Sequence, residues 1–234
     1  MDTTYIVHTK EHGYILKRYE REIPAKIIQD AKRLRELKSS GLNVSTLIKQ
    51  SEGLYLYTKL AGEVPSLIKA HHIQALARFM AALHQQSYKK SCDSSFMSEY
   101  DINAMLKFTK SKQFFYYKKL QDLSNFVMKN DGFIHGDIFK DNTVFENSKI
   151  GVFDFIDGGY GSFSFDVAVA LVGFDIPKHK EFFINLFLGA YNQKAPKKLK
   201  KEELLKNIES ASNFYALLRI DKYKNTTKAK ELIR

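Results

Sequence analysis

The chain is poor in cysteine and has no long apolar run, and each shortage excludes a class of protein. Its one cysteine, Cys92, cannot form an internal disulfide and is typical of a reducing compartment. No apolar run approaches 18 residues, so we expect no membrane span, and residues 1–17 lack the apolar core of a signal peptide. With 44% hydrophobic residues among 234, the sequence predicts a globular protein of the cytoplasm.

Acidic residues are also fewer than basic ones, 26 against 37, which gives a formal net charge of +11. Such an excess can attract nucleic acid or anionic surfaces. The lysines are scattered, however, and no zinc-ligand spacing or aromatic and basic pattern accompanies them. The densest run, residues 194–201, is predicted to be a solvated face at the start of a helix. We therefore expect no nucleic-acid partner and no membrane partner; the oligomeric state stays open.

Short alternating segments and one helical pattern fill the first 60 residues. A helix is predicted to begin at Pro24 and to end at Gly41, because proline favours the first helical position and glycine the end. Around it, alternating residues predict four strands: 4–9, 14–19, 44–49 and 53–59. Residues 60–63 resemble a link between two lobes.

Helical periodicity dominates after this link. Apolar residues three and four apart predict a helix over residues 66–86 and a long helix around residues 204–218. Residues 96–130 are predicted to form two further helices, and Asp175, Ile176 and Pro177 to begin another. Asp166 is predicted to start a helix of its own.

One stretch, residues 133–155, concentrates polar residues inside an apolar frame. It holds His135, Asp137, Asn142 and Asp154 at fixed spacing. Two strands, Thr143–Glu146 and residues 149–153, are predicted to form a hairpin. Because the hairpin folds back, Asp154 is expected to lie beside Asn142.

This set of side chains is what phosphoryl transfer requires. Mg²⁺ takes oxygen ligands, usually one or two protein carboxylates with phosphate oxygens and water. Asn142 and Asp154 can supply the protein ligands, while Asp137 can accept the proton of an attacking hydroxyl. Protein kinases divide the work in the same way, with the asparagine five positions after the catalytic aspartate. The alternative is a structural hairpin whose acidic residues occupy turns.

The stretch resembles the aminoglycoside phosphotransferase and choline kinase superfamily. The resemblance rests on His135-Gly136-Asp137, Asn142 and Asp154-Phe155, followed by Gly159, Gly161 and Asp166. The filler Phe139-Lys140-Asp141 is most similar to type II homoserine kinases. The resemblance implies an α+β, bilobal protein kinase-like fold, with a small β-rich N-lobe at residues 1–60 and a larger helical C-lobe at 61–234.

It also implies the roles of the site residues and the cofactors, ATP and Mg²⁺. Asp137 would be the catalytic base, Asn142 and Asp154 the metal ligands, and Lys17 the cation for the phosphates. His135 would shape the catalytic loop and could donate to Asp154.

Two further expectations concern the nucleotide side. Asp30 would position Lys17 from the first helix, although it is one methylene shorter than the glutamate that is frequent in the family. Alternatively, Lys17 is a surface residue of an edge strand and Asp30 is unrelated to it. Relatives carry a further strand and a phosphate-covering turn before the first hairpin, so the N-lobe is expected to lack its first strand.

The acceptor is expected to be a small-molecule hydroxyl, and the filler points to L-homoserine. Asp157 is the candidate for its ammonium group and Arg219 for its carboxylate. Choline, ethanolamine, a sugar or an aminoglycoside are the alternative acceptors. A catalytically degenerate pseudokinase that only binds nucleotide is the alternative of a different class. The same resemblance gives Asp166 a supporting role for the catalytic loop and His84 a structural one.

Overall fold

The computed structural model describes residues 3–21, 23–90, 95–177, 179–222 and 224–233. Cys92 falls outside these ranges. Within them, no helix is both long and apolar enough to cross a membrane.

The N-terminal region is built on a four-stranded antiparallel sheet with one helix inserted. Its elements are β1 (Thr3–His8), β2 (Gly13–Arg18), α1 (Pro24–Ser39), β3 (Leu47–Ser51) and β4 (Leu54–Thr58). The strand order is β1-β2-β4-β3. The Thr9 side chain accepts from the His12 amide at 3.0 Å and so closes the first turn. In the sheet, Lys17 on β2 lies opposite Tyr55 on β4.

Helix α1 has the ends that the sequence predicted. Pro24 stands at its first position, and Gly41 follows the last turn with a φ of +92°. Leu42 donates to the Leu37 carbonyl and Gly41 to the Lys38 carbonyl, which satisfies the last carbonyls of the helix in a Schellman motif.

The C-terminal region is mainly helical, with short strands around the polar stretch. Its elements are α2 (Ala70–Ser87), α3 (Ile102–Lys112), α4 (Phe114–Leu120), β5 (Gly132–Ile134), β6 (Thr143–Glu146), β7 (Lys149–Val152), β8 (Gly159–Gly161), α5 (Phe163–Gly173), α6 (Glu181–Asn192), α7 (Lys201–Asp221) and α8 (Thr226–Leu232). Helix α5 is buried on every side and packs against α7, while α2 packs against α6. Together the two regions form the predicted α+β fold, a small β-sheet region followed by a helical one.

The prediction that a helix begins at residues 175–177 is wrong. There, α5 ends in a Schellman motif: Ile176 donates to the Leu171 carbonyl and Asp175 to the Val172 carbonyl. Asp175 has a φ of +56°, a left-handed conformation that aspartate tolerates better than most residues. The next helix, α6, begins only at Glu181. Asp175 and Pro177, from which the sequence predicted the start of a helix, therefore mark the end of α5.

The predicted hairpin forms and sets the position of the polar stretch. β6 and β7 pair antiparallel, with Thr143 opposite Val152. Further along, β8 returns to pair with β5, with Gly161 opposite Gly132. Both ends of the segment between β7 and β8 are thereby held beside the loop that follows β5.

Candidate active site

Asp166, in the first turn of α5, organises the loop that follows β5. Its fully buried carboxylate accepts from the amide of Gly136 at 2.7 Å and from the amide of His135 at 3.3 Å. The Nε2 of His84 lies 3.0 Å from the same carboxylate, and its Nδ1 lies 2.7 Å from the Tyr191 hydroxyl. The helix N-terminus also favours a negative charge at this place. Asp166 thus holds the loop in place from the protein interior and is not exposed in the site.

His135 links the loop to the end of β7. It is fully buried, its Nε2 lies 3.1 Å from the Phe153 carbonyl oxygen, and its Nδ1 accepts from the Asp137 amide at 3.2 Å. The contact is with Phe153 and not with Asp154, to which the sequence had assigned it. Burial lowers the pKa of His135, so the imidazole is neutral. Its geometry suits a residue that shapes the loop.

Asp137 and Asn142 are joined directly. The Asn142 amide nitrogen donates to the main-chain oxygen of Asp137 at 2.9 Å and to its carboxylate at 3.0 Å. Both amide hydrogens are used in this way, which leaves the Asn142 amide oxygen as a potential ligand. Burial, followed by the charges of Asp154 and Asp141, raises the pKa of Asp137 to about 7. A carboxyl with this pKa is suited to accept a proton near neutral pH.

The described ion pair of Lys17 is with Asp154 rather than with its predicted partner Asp30. The Lys17 ammonium is 2.8 Å from the Asp154 carboxylate. Among the described ion pairs, Asp30 has only Arg33, at 3.7 Å. Asp30 is 4% exposed and its Oδ1 has no hydrogen-bond partner among the described residues. Burial raises the pKa of Asp30 to about 7, with Arg33 opposing the shift.

A cavity of about 540 Å³ lies between the sheet and the C-terminal region and is lined by four of the predicted site residues. They are Lys17, Asp30, Asn142 and Asp154. Apolar side chains form much of the remaining wall, among them Ile6, Ile15, Leu34, Leu60 and Val144. The volume lies within the range of small-molecule and cofactor sites, which is roughly 300–1,000 Å³.

A second, smaller cavity of about 100 Å³ is lined by three further predicted site residues, Asp137, Asp157 and Arg219. Tyr215 and Lys222 of the α7 end also line it. The Asp137–Asn142 hydrogen bond joins the walls of the two cavities, because Asp137 lines the second and Asn142 the first.

Asp157 already has cationic neighbours at the rim of this second cavity. Arg21 donates to both of its carboxylate oxygens, at 2.8 and 3.3 Å, and Lys26 lies 3.7 Å away. Burial acts to raise the pKa of Asp157, but the Arg21 hydrogen bonds, together with the charges of Arg21, Lys26 and Lys222, outweigh it and hold the pKa below its usual range. Arg21 precedes α1, so this ion pair also joins the N-terminal region to the segment after Asp154.

Several residues of this site had no assigned role in the sequence analysis. Tyr215 fitted the apolar spacing of its helix, yet its hydroxyl donates to the Gly136 carbonyl. Lys222 lies one helical turn after Arg219, a spacing that could have revealed it. Arg21 and Lys26 gave no local signal, because they contact Asp157 only through the tertiary fold.

The oxygen donors of the larger cavity can hold a metal ion. In the described part of the chain, no group of three or more His, Cys, Asp or Glu residues could hold one. Mg²⁺ commonly uses only one or two protein carboxylates together with substrate phosphates. Asp154 and the amide oxygen of Asn142, both lining the larger cavity, are hard oxygen donors that fit this pattern.

Known phosphotransferases resemble this chain in sequence and in fold. The "Phosphotransferase enzyme family" model matches residues 2–199. A homoserine kinase of Polaromonas naphthalenivorans (strain CJ2) is 22% identical over 242 residues, covering 91% of this chain and 76% of its own. A solved amicoumacin kinase in complex with AMP-PNP, Ca²⁺ and Ami is 16% identical with a TM-score of 0.72, covering 99% of this chain and 83% of that one.

A choline kinase from Streptococcus pneumoniae is 14% identical with a TM-score of 0.66, covering 98% of this chain and 89% of that one. These structural neighbours confirm the kinase-like fold that the sequence predicted. Since the family match covers most of the sequence, the chain belongs to the phosphotransferase enzyme family and is a small-molecule kinase.

Proposed function

We propose that the protein transfers the γ-phosphoryl group of ATP to the hydroxyl of a small acceptor, and that L-homoserine is this acceptor. The observation that carries the proposal is the junction of the two cavities. Asp137 faces the smaller cavity, Asn142 and Asp154 face the larger one, and a 3.0 Å hydrogen bond connects Asp137 with Asn142.

Nucleotide would occupy the larger cavity, between an N-lobe at residues 1–60 and a C-lobe at 61–234. Its base would lie against the apolar wall around Ile15, Leu60 and Val144, and its phosphates would face Lys17. Asp154 and Asn142 would hold Mg²⁺, which when bound offsets phosphate charge. Lys17 would then contact the phosphates in place of Asp154. Asp30 lines the same cavity, and the charge of Lys17 already acts to lower its pKa, so Asp30 would be the carboxylate that positions Lys17.

Transfer itself needs little covalent chemistry from the protein. The acceptor oxygen forms a bond to the γ-phosphorus, the bond between that phosphorus and the bridging oxygen breaks, and ADP leaves. Asp137 accepts the hydroxyl proton, for which its raised pKa suits it. Asn142 fixes the orientation of Asp137, and His135 fixes the loop that carries it.

The size of the smaller cavity supports a small acceptor. About 100 Å³ is far below the roughly 300–1,000 Å³ of sites for drug-sized ligands, so an amino acid or amino alcohol fits better than an aminoglycoside. The homoserine kinase relative favours L-homoserine among small acceptors. Its carboxylate would face Arg219, and its ammonium would share Asp157 with Arg21.

A panel of acceptors tests the proposal. ADP release is measured with Mg²⁺ and ATP for homoserine, serine, choline, ethanolamine and an aminoglycoside, with Asp137→Asn as the inactive control. We expect homoserine to be preferred. Turnover of choline but not homoserine would overturn the acceptor and leave the kinase activity standing. Nucleotide binding without turnover of any acceptor would favour the pseudokinase.

A further inference from the structure

We propose that the smaller cavity selects its acceptor through an anionic group held by Arg219 and Lys222, and that a substrate ammonium contributes little. This inference rests on the proposed function, because it concerns the acceptor of the same site. It adds Lys222 as a specificity-determining residue and ranks the two charged groups of the acceptor by their importance.

The first observation is the charge around the cavity. Four cations lie in its wall or in contact with the wall carboxylate Asp157. They are Arg21, Lys26, Arg219 and Lys222. Asp137 and Asp157 are the described carboxylates that line the cavity, and Glu99 lies 3.3 Å from Lys26. Arg219 and Lys222 belong to the cavity wall itself, so an acceptor bound there lies beside two positive charges.

The second observation is that Asp157 already holds cationic partners. Arg21 occupies both of its oxygens and Lys26 lies 3.7 Å from one of them. Bidentate arginine pairs are among the stronger hydrogen-bonded contacts of a carboxylate. An incoming ammonium would have to displace Arg21 or add a further positive charge beside it. Asp157 is therefore better placed to hold Arg21 than to recognise a substrate ammonium.

The third observation is the placement of Arg219 and Lys222. They stand three residues apart at the end of α7, so they share one side of the helix. Both line the cavity that Asp137 lines. Within the described ranges, Lys222 has no ion pair of 4.0 Å or shorter, so its charge can be shared with a substrate. A structural explanation exists as well, because cations are favoured at a helix C-terminus.

Two matched acceptors separate recognition of an anion from recognition of an ammonium. 4-Hydroxybutyrate keeps the hydroxyl and the carboxylate of homoserine, whereas 3-aminopropan-1-ol keeps a hydroxyl and an ammonium. We expect the wild type to have the higher kcat/KM with 4-hydroxybutyrate. We expect Lys222→Ala to lower kcat/KM for 4-hydroxybutyrate and homoserine about tenfold, the lower range for a hydrogen bond to a charged group. The KM for ATP and the weak turnover of 3-aminopropan-1-ol should not change.

Lys206→Ala is the matched control, because Lys206 is an exposed lysine on the same helix, more than four turns from Lys222. It should change no kinetic constant. Equal losses for both acceptors in Lys222→Ala would show that the residue only supports the helix end and would overturn the inference. A wild-type preference for 3-aminopropan-1-ol would overturn it too.

The outcomes also separate this inference from the choice of homoserine. If 4-hydroxybutyrate is turned over in a way that depends on Lys222 and homoserine is not, homoserine is excluded as the acceptor and the anion site is supported. Both small acceptors are also titrated calorimetrically against the wild type with Mg²⁺ and a non-hydrolysable ATP analogue. If no acceptor is turned over, a failure of 4-hydroxybutyrate to bind more tightly than 3-aminopropan-1-ol overturns the inference.

Discussion

Asp137→Asn should abolish phosphoryl transfer and at the same time stabilise the protein at neutral and alkaline pH. A positioned base contributes roughly 10²–10⁴-fold to rate, so the loss of activity should be at least that large. The gain in stability has a different origin. The Asp137 carboxyl is held where burial, Asp154 and Asp141 all disfavour its charge, and an amide carries no charge.

The magnitude follows from the pKa of Asp137. Its usual value is 3.8 and the folded protein raises it to about 7. At 1.36 kcal/mol for each pKa unit, the shift corresponds to about 4 kcal/mol of stability. This value is an upper limit for the gain in Asp137→Asn, because the hydrogen bond from Asn142 to the carboxylate is weakened in the variant. A raised pKa contributes stability that is fully present below pH 3.8 and is lost as the pH rises to about 7. The amide introduced by Asp137→Asn does not titrate, so the advantage of the variant should grow across this interval and be constant above it.

The assay is urea unfolding, followed by circular dichroism in EDTA at several pH values from 5 to 8.5. Asp30 titrates in both proteins and cancels in the difference between them. Asp157→Asn is the control: the pKa of Asp157 is held low, so the effect of its substitution should not vary over this range. A stability difference between wild type and Asp137→Asn that is the same at pH 5 and pH 8.5 would refute the reasoning.

Three further predictions concern the same site. Asp154→Ala and Asn142→Ala should both weaken Mg²⁺-dependent binding of ATP, Asp154→Ala more because it removes a full charge; equal ATP affinity of the wild type with and without Mg²⁺ would exclude this metal site. Lys17→Ala should raise the KM for ATP or lower kcat, Asp30→Ala should have a milder effect, and strict additivity in a double-mutant cycle would show that they do not act as a pair. Gly136→Ala should destabilise the fold by roughly 2–4 kcal/mol, because φ is +75° there and an added Cβ would lie 2.1 Å from a buried ring atom. A free energy of unfolding within about 1 kcal/mol of wild type would contradict it, because alanine at a positive φ costs more than that.

Local patterns in the sequence were sufficient for the elements that local physics controls. Pro24 and Gly41 mark the two ends of α1 because one residue pre-sets a helical φ and the other accepts a left-handed one. The alternation of apolar residues set the β6–β7 hairpin, and with it the closeness of Asn142 and Asp154, which line one cavity. The phosphotransferase family and the kinase-like fold also followed from this stretch. The helix start predicted at Asp175 was wrong, because an aspartate two residues before a proline can either start a helix or end one in a left-handed conformation.

Only the tertiary structure decided which charges meet. Lys17 contacts Asp154 rather than Asp30, and Arg21 reaches Asp157 from another region of the chain. Such pairs depend on how the two regions pack and on which carboxylates become buried, and neither quantity has a local pattern. For the same reason the raised pKa of Asp137 could not be predicted, since desolvation depends on neighbours that are distant in sequence. The sequence determined which chemical groups are present, and packing determined which of them remain charged and which side chains they face.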